Sequence, residues 1–394
     1  MAGEMNPLVP APGASDEAKI TDTSTAVRPA SAAARAHSRL ASVTVADGLM
    51  LLIGGLAAWL RFGELARLPL SAAEAASALA NWQFWTAAPL EMPVISPAYF
   101  AFTHLIMSLG ASGDVAARFV PAVFGLLTVL LVWRRRGGAR PVGWLTAGLF
   151  LAVSPILVAV SRTAGGDAIA LFALMLMVRS LWAVSGGQHS VSSGQYSEGG
   201  PQTVDDGPRT EVISAVGGQP SSADRSPLGG RRSAVLLGIA LGLGLTSSPL
   251  FYTGLVGLII AVTVGQAGQL ARPPERKLDT VRHAGVAAGV TFLVVATSLL
   301  FYPAGIGAAL RLFPAWLAQF GLSGSATAVT SPFLSLLRYE PAAILLGVPA
   351  VVWALAAGRR TGRALAVWFG VTLVVALLQP GVMANAAVAV LPAY

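Results

Sequence analysis

From residue 44 onward the chain is a succession of apolar runs separated by short polar breaks. Runs near 44–60, 115–133, 141–160, 167–183, 233–248, 250–266, 284–302, 341–357 and 363–380 approach the length, about 17 to 25 residues, that a helix needs to cross a bilayer. The block from 233 to 266 is continuously apolar. Ser247-Ser248-Pro249 divides it, because proline and polar residues suit a tight hairpin. A last apolar stretch, 382–394, is too short to cross. Pro155 and Pro349 lie inside runs and predict kinks, and Gly238 with Gly242, on one helix face, predicts close approach of a neighbouring helix. The run 97–109 lies close to Trp82, Phe84, Trp85 and Tyr99, rings of the kind that favour the headgroup level, so it is expected to lie along the surface. The pattern predicts an all-α polytopic membrane protein with about 9–10 transmembrane helices and interfacial helices in the loop 61–114.

The polar segments divide this frame. Residues 1–42 are rich in Ala, Pro, Ser and Thr and lack apolar periodicity, which predicts a disordered tail rather than a signal peptide. Residues 184–232, rich in Gly, Ser and Pro, predict a disordered linker between a membrane module at 43–183 and a second at 233–394. Charge then sets the orientation. With the tail in the cytoplasm, 19 of the 26 Lys and Arg residues fall on that side, as the positive-inside rule requires. If 97–109 crossed instead, Arg134-Arg135-Arg136 would face outward. The expected location is therefore an integral membrane protein of a prokaryotic plasma membrane, N-terminus inside.

Composition narrows the chemistry. Apolar residues make up 55% and charged residues 11%, with a mean hydropathy of +0.68. Soluble domains carry about 25% charge. The net charge of +8 is then a property of cytoplasmic loops, not of a nucleic-acid surface. The absence of cysteine excludes disulfides, thiolate nucleophiles and zinc-thiolate sites. The four histidines are scattered in sequence, so no histidine metal centre is expected. No Walker loop, dinucleotide fingerprint, His-Glu-x-x-His or Gly-x-Ser-x-Gly occurs, and no cytoplasmic segment could fold around a nucleotide. A substrate carried by a lipid is the remaining expectation.

On the expected outer face, Glu74, Asp167 and Glu340 border long apolar runs, where a charge is costly and so marks a candidate site. Glu64, Glu91 and Asp114 resemble solvated loop residues. Arg118, Arg162 and Arg338 are the candidate cations, and a guanidinium matches phosphate oxygens well. Arg162 precedes Asp167 by five residues across Gly165-Gly166. That spacing fits either an ion pair closing a helical hairpin or a small-residue ligand site. Asp205-Asp206 and Glu198 fit an ordinary solvated loop.

The order of several short motifs resembles a known superfamily. An acid follows the first span; then come Ser96-Pro97-x-Tyr99, Leu109-Gly110, the run Ala116 to Leu127, Leu151 to Pro155, and Ser161-Arg162 with Asp167. This resembles the GT-C membrane glycosyltransferases of the protein-mannosyltransferase type (glycosyltransferase family 39), in flavour nearest the flippase-activity-associated branch linked to N-glycosylation. Tyr339-Glu340-Pro341 is a weaker echo. The resemblance implies transfer of sugar from a polyprenyl-phosphate donor to a protein or lipid acceptor on the extracytoplasmic side. Glu74 would be the general base, supported by Asp167. Arg162, Arg118, Arg338, Tyr99, His104 and Glu340 would bind substrate. It implies no nucleotide and no resident cofactor, leaves room for a divalent metal, and names membrane lipids and a larger assembly as partners. One departure stands out: where the family carries Asp-Glu, this chain has Ala73-Glu74. The alternative implied is a catalytically inactive relative, a lipid-linked-sugar binding or assembly subunit, or a flippase-associated protein.

Overall fold

A computed structural model describes residues 45–90, 93–133, 141–186, 228–266, 275–320, 334, 336–358, 360–379 and 383–393. The expected tail over 1–42, residues 187–227 of the expected linker, Glu91 and Arg134-Arg135-Arg136 lie outside these. The described residues contain helices and no strand. The first span is α1, Val45–Phe62, and the following loop carries α2, Ala72–Trp85, and α3, Pro97–Ser108. Then come α4, Gly113–Trp133; α5, Pro141–Val153; α6, Pro155–Ser161; and α7, Asp167–Gly186. The second half holds α8, Leu228–Leu245; α9, Leu250–Gln266; α10, Glu275–Ala296; α11, Gly305–Ala318; α12, Pro341–Ala356; α13, Arg360–Leu377; and α14, Met383–Ala393. One apolar core runs through α4, α5, α6, α7, α9, α13 and α14, with Leu151, Ile169, Leu174, Phe251 and Trp368 fully buried.

Several boundaries differ from the sequence reading. Among the described residues, α1 and α4 are long and apolar enough to cross a membrane alone, and α5 with α6 makes a third if the bent pair is one span. Shorter apolar helices, among them α9, α12 and α13, lie over other expected runs. The expected span 284–302 is shifted: α10 stops at Ala296, and Ser298, Leu299 and Leu300 take left-handed backbone with φ of 49°, 60° and 76°. Thr297 Oγ1 donates to Leu293 O at 2.7 Å and Leu299 N to Val294 O at 2.7 Å, closing the helix end. The helix α11 that follows was not expected as a separate element.

The kink at Pro155 is present, and its cause is local. Proline opens α6 after Ser154, and the two half-helices meet at 59°. Such a break leaves carbonyls orphaned on one side and N–H groups on the other. Two buried charges from distant elements satisfy them. Arg61, 1% exposed, donates to Leu151 O at 2.9 Å and Ala152 O at 3.0 Å, the last carbonyls of α5. Glu340, also 1% exposed, accepts from the Ser154 hydroxyl and from Ile156 N at 2.9 Å. A cation thus faces a helix C-terminus and an anion a helix N-terminus, the signs their dipoles favour. Glu340→Ala leaves the Ser154 hydroxyl and Ile156 N–H without this acceptor. It is expected to cost about 1–3 kcal/mol per group left bare, read by thermal unfolding in detergent. Glu340→Gln, which keeps a carbonyl oxygen, should recover most of the loss; equal losses would mean that the oxygen is not what holds the break.

The close approach expected at Gly238 and Gly242 is also present. A Cβ on Gly242 would lie 2.5 Å from Ala288 O on α10, and one on Gly238 would strike Ala284 O. These glycines set how tightly α8 and α10 pack.

Candidate functional site

The loop between α1 and α4 is organised by Ser71 and Glu74. Ser71 is the N-cap of α2, its hydroxyl accepting from Glu74 N at 3.4 Å, and Glu74 Oε2 accepts from Ser71 N at 2.9 Å. This reciprocal capping box starts the helix. It also points the Glu74 carboxylate back toward α4, where Arg118 meets it.

Arg118 donates through Nε to Glu74 Oε1 at 3.0 Å and through NH2 to Glu74 Oε2 at 3.0 Å. Its remaining N–H groups go to Leu65 O at 2.8 Å, Leu68 O at 2.7 Å and Pro69 O at 3.1 Å. All five guanidinium hydrogens are therefore used. Glu74 Oε1 also accepts from Ala164 N at 2.9 Å, in the loop before α7. The carboxylate thus takes four N–H bonds, its whole acceptor capacity. Glu74 and Arg118 are 7% and 6% exposed. Burial pushes the Glu74 carboxyl upward, but the Arg118 hydrogen bonds, with those from Ser71 and Ala164, outweigh it and hold the group at about 2. Glu74 is ionised at neutral pH and has no lone pair open to a substrate proton. It ties α2, α4 and the loop before α7 into one knot.

Asp167 stands three residues beyond Ala164 and opens α7. It is partly buried and takes a hydrogen bond from Ser248 in the turn between α8 and α9. The neighbourhood is tight: a Cβ on Gly166 would strike Ser247 O and Ser96 Oγ, and the Ser96 hydroxyl itself donates to Ser247 O. Only glycine fits there. Ala98 N donates to Thr246 O at 2.9 Å, so α3 and the α8–α9 turn meet at this end of the bundle.

The ion pair between Arg162 and Asp167, one of the two sequence expectations, is not formed. Arg162 NH1 reaches Leu60 O at 2.9 Å and NH2 reaches Glu64 O at 3.2 Å, binding carbonyls at and just past the end of α1. Tyr99 is 2% exposed and its hydroxyl donates to Ala117 O at 2.9 Å, next to Arg118. His104 packs edge-on against Phe84 at 4.9 Å, and burial pulls its imidazole below the ordinary range. Arg338 is exposed, 5.6 Å over the Tyr339 ring. The structure thus gathers Glu74, Arg118, Tyr99 and the backbone leading to Asp167, while His104, Arg338 and Glu340 have their partners elsewhere. Among the described residues no three His, Asp or Glu side chains are gathered to hold a metal ion. Sequence reasoning missed Arg61 and Ser71. The Ser71-x-x-Glu74 signature of a capping box was the available signal for the latter.

Against this geometry stand the similarities to known proteins. The family model of dolichyl-phosphate-mannose-protein mannosyltransferases matches residues 93–188. A search of curated proteins gives no match. The fold is similar to the archaeal oligosaccharyltransferase AglB of Archaeoglobus fulgidus in complex with an inhibitory peptide and a dolichol-phosphate. The TM-score is 0.52 at 13% identity, covering 88% of this chain and 49% of that one. It is also similar to an A. fulgidus oligosaccharyltransferase in its apo form, with TM-score 0.51 at 12% identity, over 89% of this chain and 50% of that one. This chain therefore spans about half the length of those proteins. The GT-C-like, all-helical membrane fold expected from the motif order is the fold found.

Proposed function

We propose that this protein is a GT-C-type membrane glycosyltransferase relative that binds a polyprenyl-phosphate-linked sugar on the extracytoplasmic side, at the end built by α2, α3 and the α8–α9 turn. We further propose that, as it stands, it lacks the proton acceptor for transfer. The dolichol-phosphate bound by the structurally similar AglB supports the donor class. The observation that carries the reading is the Glu74 carboxylate, filled by four N–H donors beside an exposed Ala73. A general base must keep an acceptor site within reach of the proton it removes. Glu74 keeps none, and alanine at 73 supplies none. The chain then serves as a lipid-linked-sugar binding or assembly subunit.

A second reading is favoured by Asp167. Its hydrogen-bond donor is the neutral Ser248 hydroxyl, and no ion pair to it forms among the described residues. On that reading Asp167 takes the acceptor proton and Glu74 only positions the loop. A transfer assay with polyprenyl-phosphate-linked sugars separates the two. The first predicts binding without transfer by the wild type. The second predicts transfer that Asp167→Asn lowers by about 10²-fold or more. If the wild type neither binds nor transfers, both readings end.

A further inference from the structure

Polar contacts tie α1 to the bundle at its two ends. Near its start Asp47 Oδ1 accepts from Trp133 Nε1 of α4 at 3.1 Å. At its finish Arg61 donates to Leu151 O and Ala152 O of α5, and Arg162 reaches back to Leu60 O. Between these ties α1 and α5 part, and Leu49, Leu52, Ile53 and Leu56 of α1 face Leu145 and Leu149 of α5 across a groove of about 400 Å³. The polar side chain in its lining, Thr146, donates its hydroxyl to Val142 O at 2.7 Å in its own helix, so its hydrogen is already spent. Leu52 is 71% exposed, which puts the opening on the outer surface of the bundle, where lipid covers a membrane helix.

Shape selects the occupant. The α1 lining runs from Leu49 to Leu56, about 10 Å of helix at 1.5 Å per residue, so the groove has a mean cross-section of about 40 Å². A partner's transmembrane helix, 10–12 Å across, needs about 80–110 Å² and does not seat. A single hydrocarbon chain does. Lipid tails are as apolar as leucine, so the groove gains nothing from the hydrophobic effect. It acts by close packing and by fixing the direction of the chain.

Charge selects the end at which a headgroup sits. Leu60 lies four residues beyond Leu56, on the same face of α1, and its carbonyl is where Arg162 docks. The groove thus runs outward to Arg61, which is buried, and Arg162, which is half-buried. At its other end α1 opens with Asp47, an acid that disfavours phosphate. Arg162 also stands two residues before Ala164, whose N–H holds Glu74, and five before Asp167. From Leu60 to Leu49 is about 16 Å along the helix, roughly half of a hydrocarbon core about 30 Å thick. We propose that the α1–α5 groove holds the polyprenyl chain of the lipid-linked donor, with the donor phosphate at its outer end beside Arg162. The inference rests on the donor-binding reading above.

The test uses full-length protein in phosphatidylcholine nanodiscs and polyprenyl phosphate carrying a diazirine on the part of its chain nearest the phosphate, with cross-linked peptides mapped by mass spectrometry. In wild type the labels are expected at 49–56 and 145–149. Unlabelled polyprenyl phosphate should displace them, while polyprenol and phosphatidylglycerol at the same concentration should not. Leu52→Trp with Leu149→Trp fills the groove from positions 71% and 42% exposed, so it should fold and lose those labels. If displaceable labels fall on other helices, or polyprenol or phosphatidylglycerol displaces them equally well, or the filled, folded variant keeps them, the groove is overturned while donor binding stands. The wild-type map and its competition decide this even if the filled variant melts lower. If unlabelled polyprenyl phosphate displaces no label anywhere, the groove and the donor-binding reading fall together.

Discussion

Arg118→Ala melts far below wild type in detergent, by an amount equivalent to about 3–5 kcal/mol, the usual cost of breaking a buried ion pair from one side. The substitution strands the Glu74 carboxylate at 7% exposure and removes the donors that hold Leu65 O, Leu68 O and Pro69 O. The same pair sets a pH dependence. The Glu74 carboxyl sits at about 2 in the folded protein against 4.5 for an ordinary glutamate, so the unfolded chain binds more protons between these values. The stabilisation is fully present above about pH 4.5 and fades as pH falls toward 2. Wild type should therefore lose melting temperature through that window, and Arg118→Ala should lose less of it, since its Glu74 no longer holds the guanidinium. Glu74→Met with Arg118→Met, which removes both charges, should recover part of the loss. An Arg118→Ala protein that melts like wild type would show that the knot does not hold the loop.

Why the sequence revealed some of this and hid the rest is visible in particular residues. Long apolar runs announce helices because lipid and core make the same demand, and Pro155 inside a run can only break one. Gly238 and Gly242 predicted close packing for a steric reason that needs no partner to be known. The end of α10 was not legible: residues 297–302 are apolar enough to continue a helix, and the left-handed turn at Ser298–Leu300 depends on capping bonds that composition does not encode. Arg162 beside Asp167 suggested a local pair. The guanidinium instead reaches the C-terminal end of α1, about 100 positions away in sequence, where it binds the carbonyls of Leu60 and Glu64. Glu74 was found by its place against an apolar run, but its neighbours decide its chemistry. Spacing could not say that Arg118 and the backbone at Ala164 would fill it.

Ala73→Asp is expected to raise sugar transfer from polyprenyl-phosphate donors by about 10²-fold or more over wild type, the scale of a positioned general base. The argument is geometric. Ala73 is the second residue of α2, exposed, and immediately before the residue whose carboxylate builds the knot. An aspartate there leaves the Ser71–Glu74 capping box intact and places a negative charge in the first turn, where the helix dipole favours it. The variant should therefore fold as wild type does, which melting temperature checks directly. Its new carboxylate, unlike that of Glu74, starts with none of the four N–H partners that fill the neighbouring side chain, so its lone pairs are open to an acceptor hydroxyl or amine. Glu74→Gln cannot give this gain, because it disturbs the knot and adds no base. If Ala73→Asp folds, binds donor and still transfers no faster than wild type, the missing acid is not what keeps this site silent. A wild-type protein already transferring quickly would instead place the proton on Asp167, and adding Asp167→Asn to Ala73→Asp would then show whether either carboxylate suffices alone.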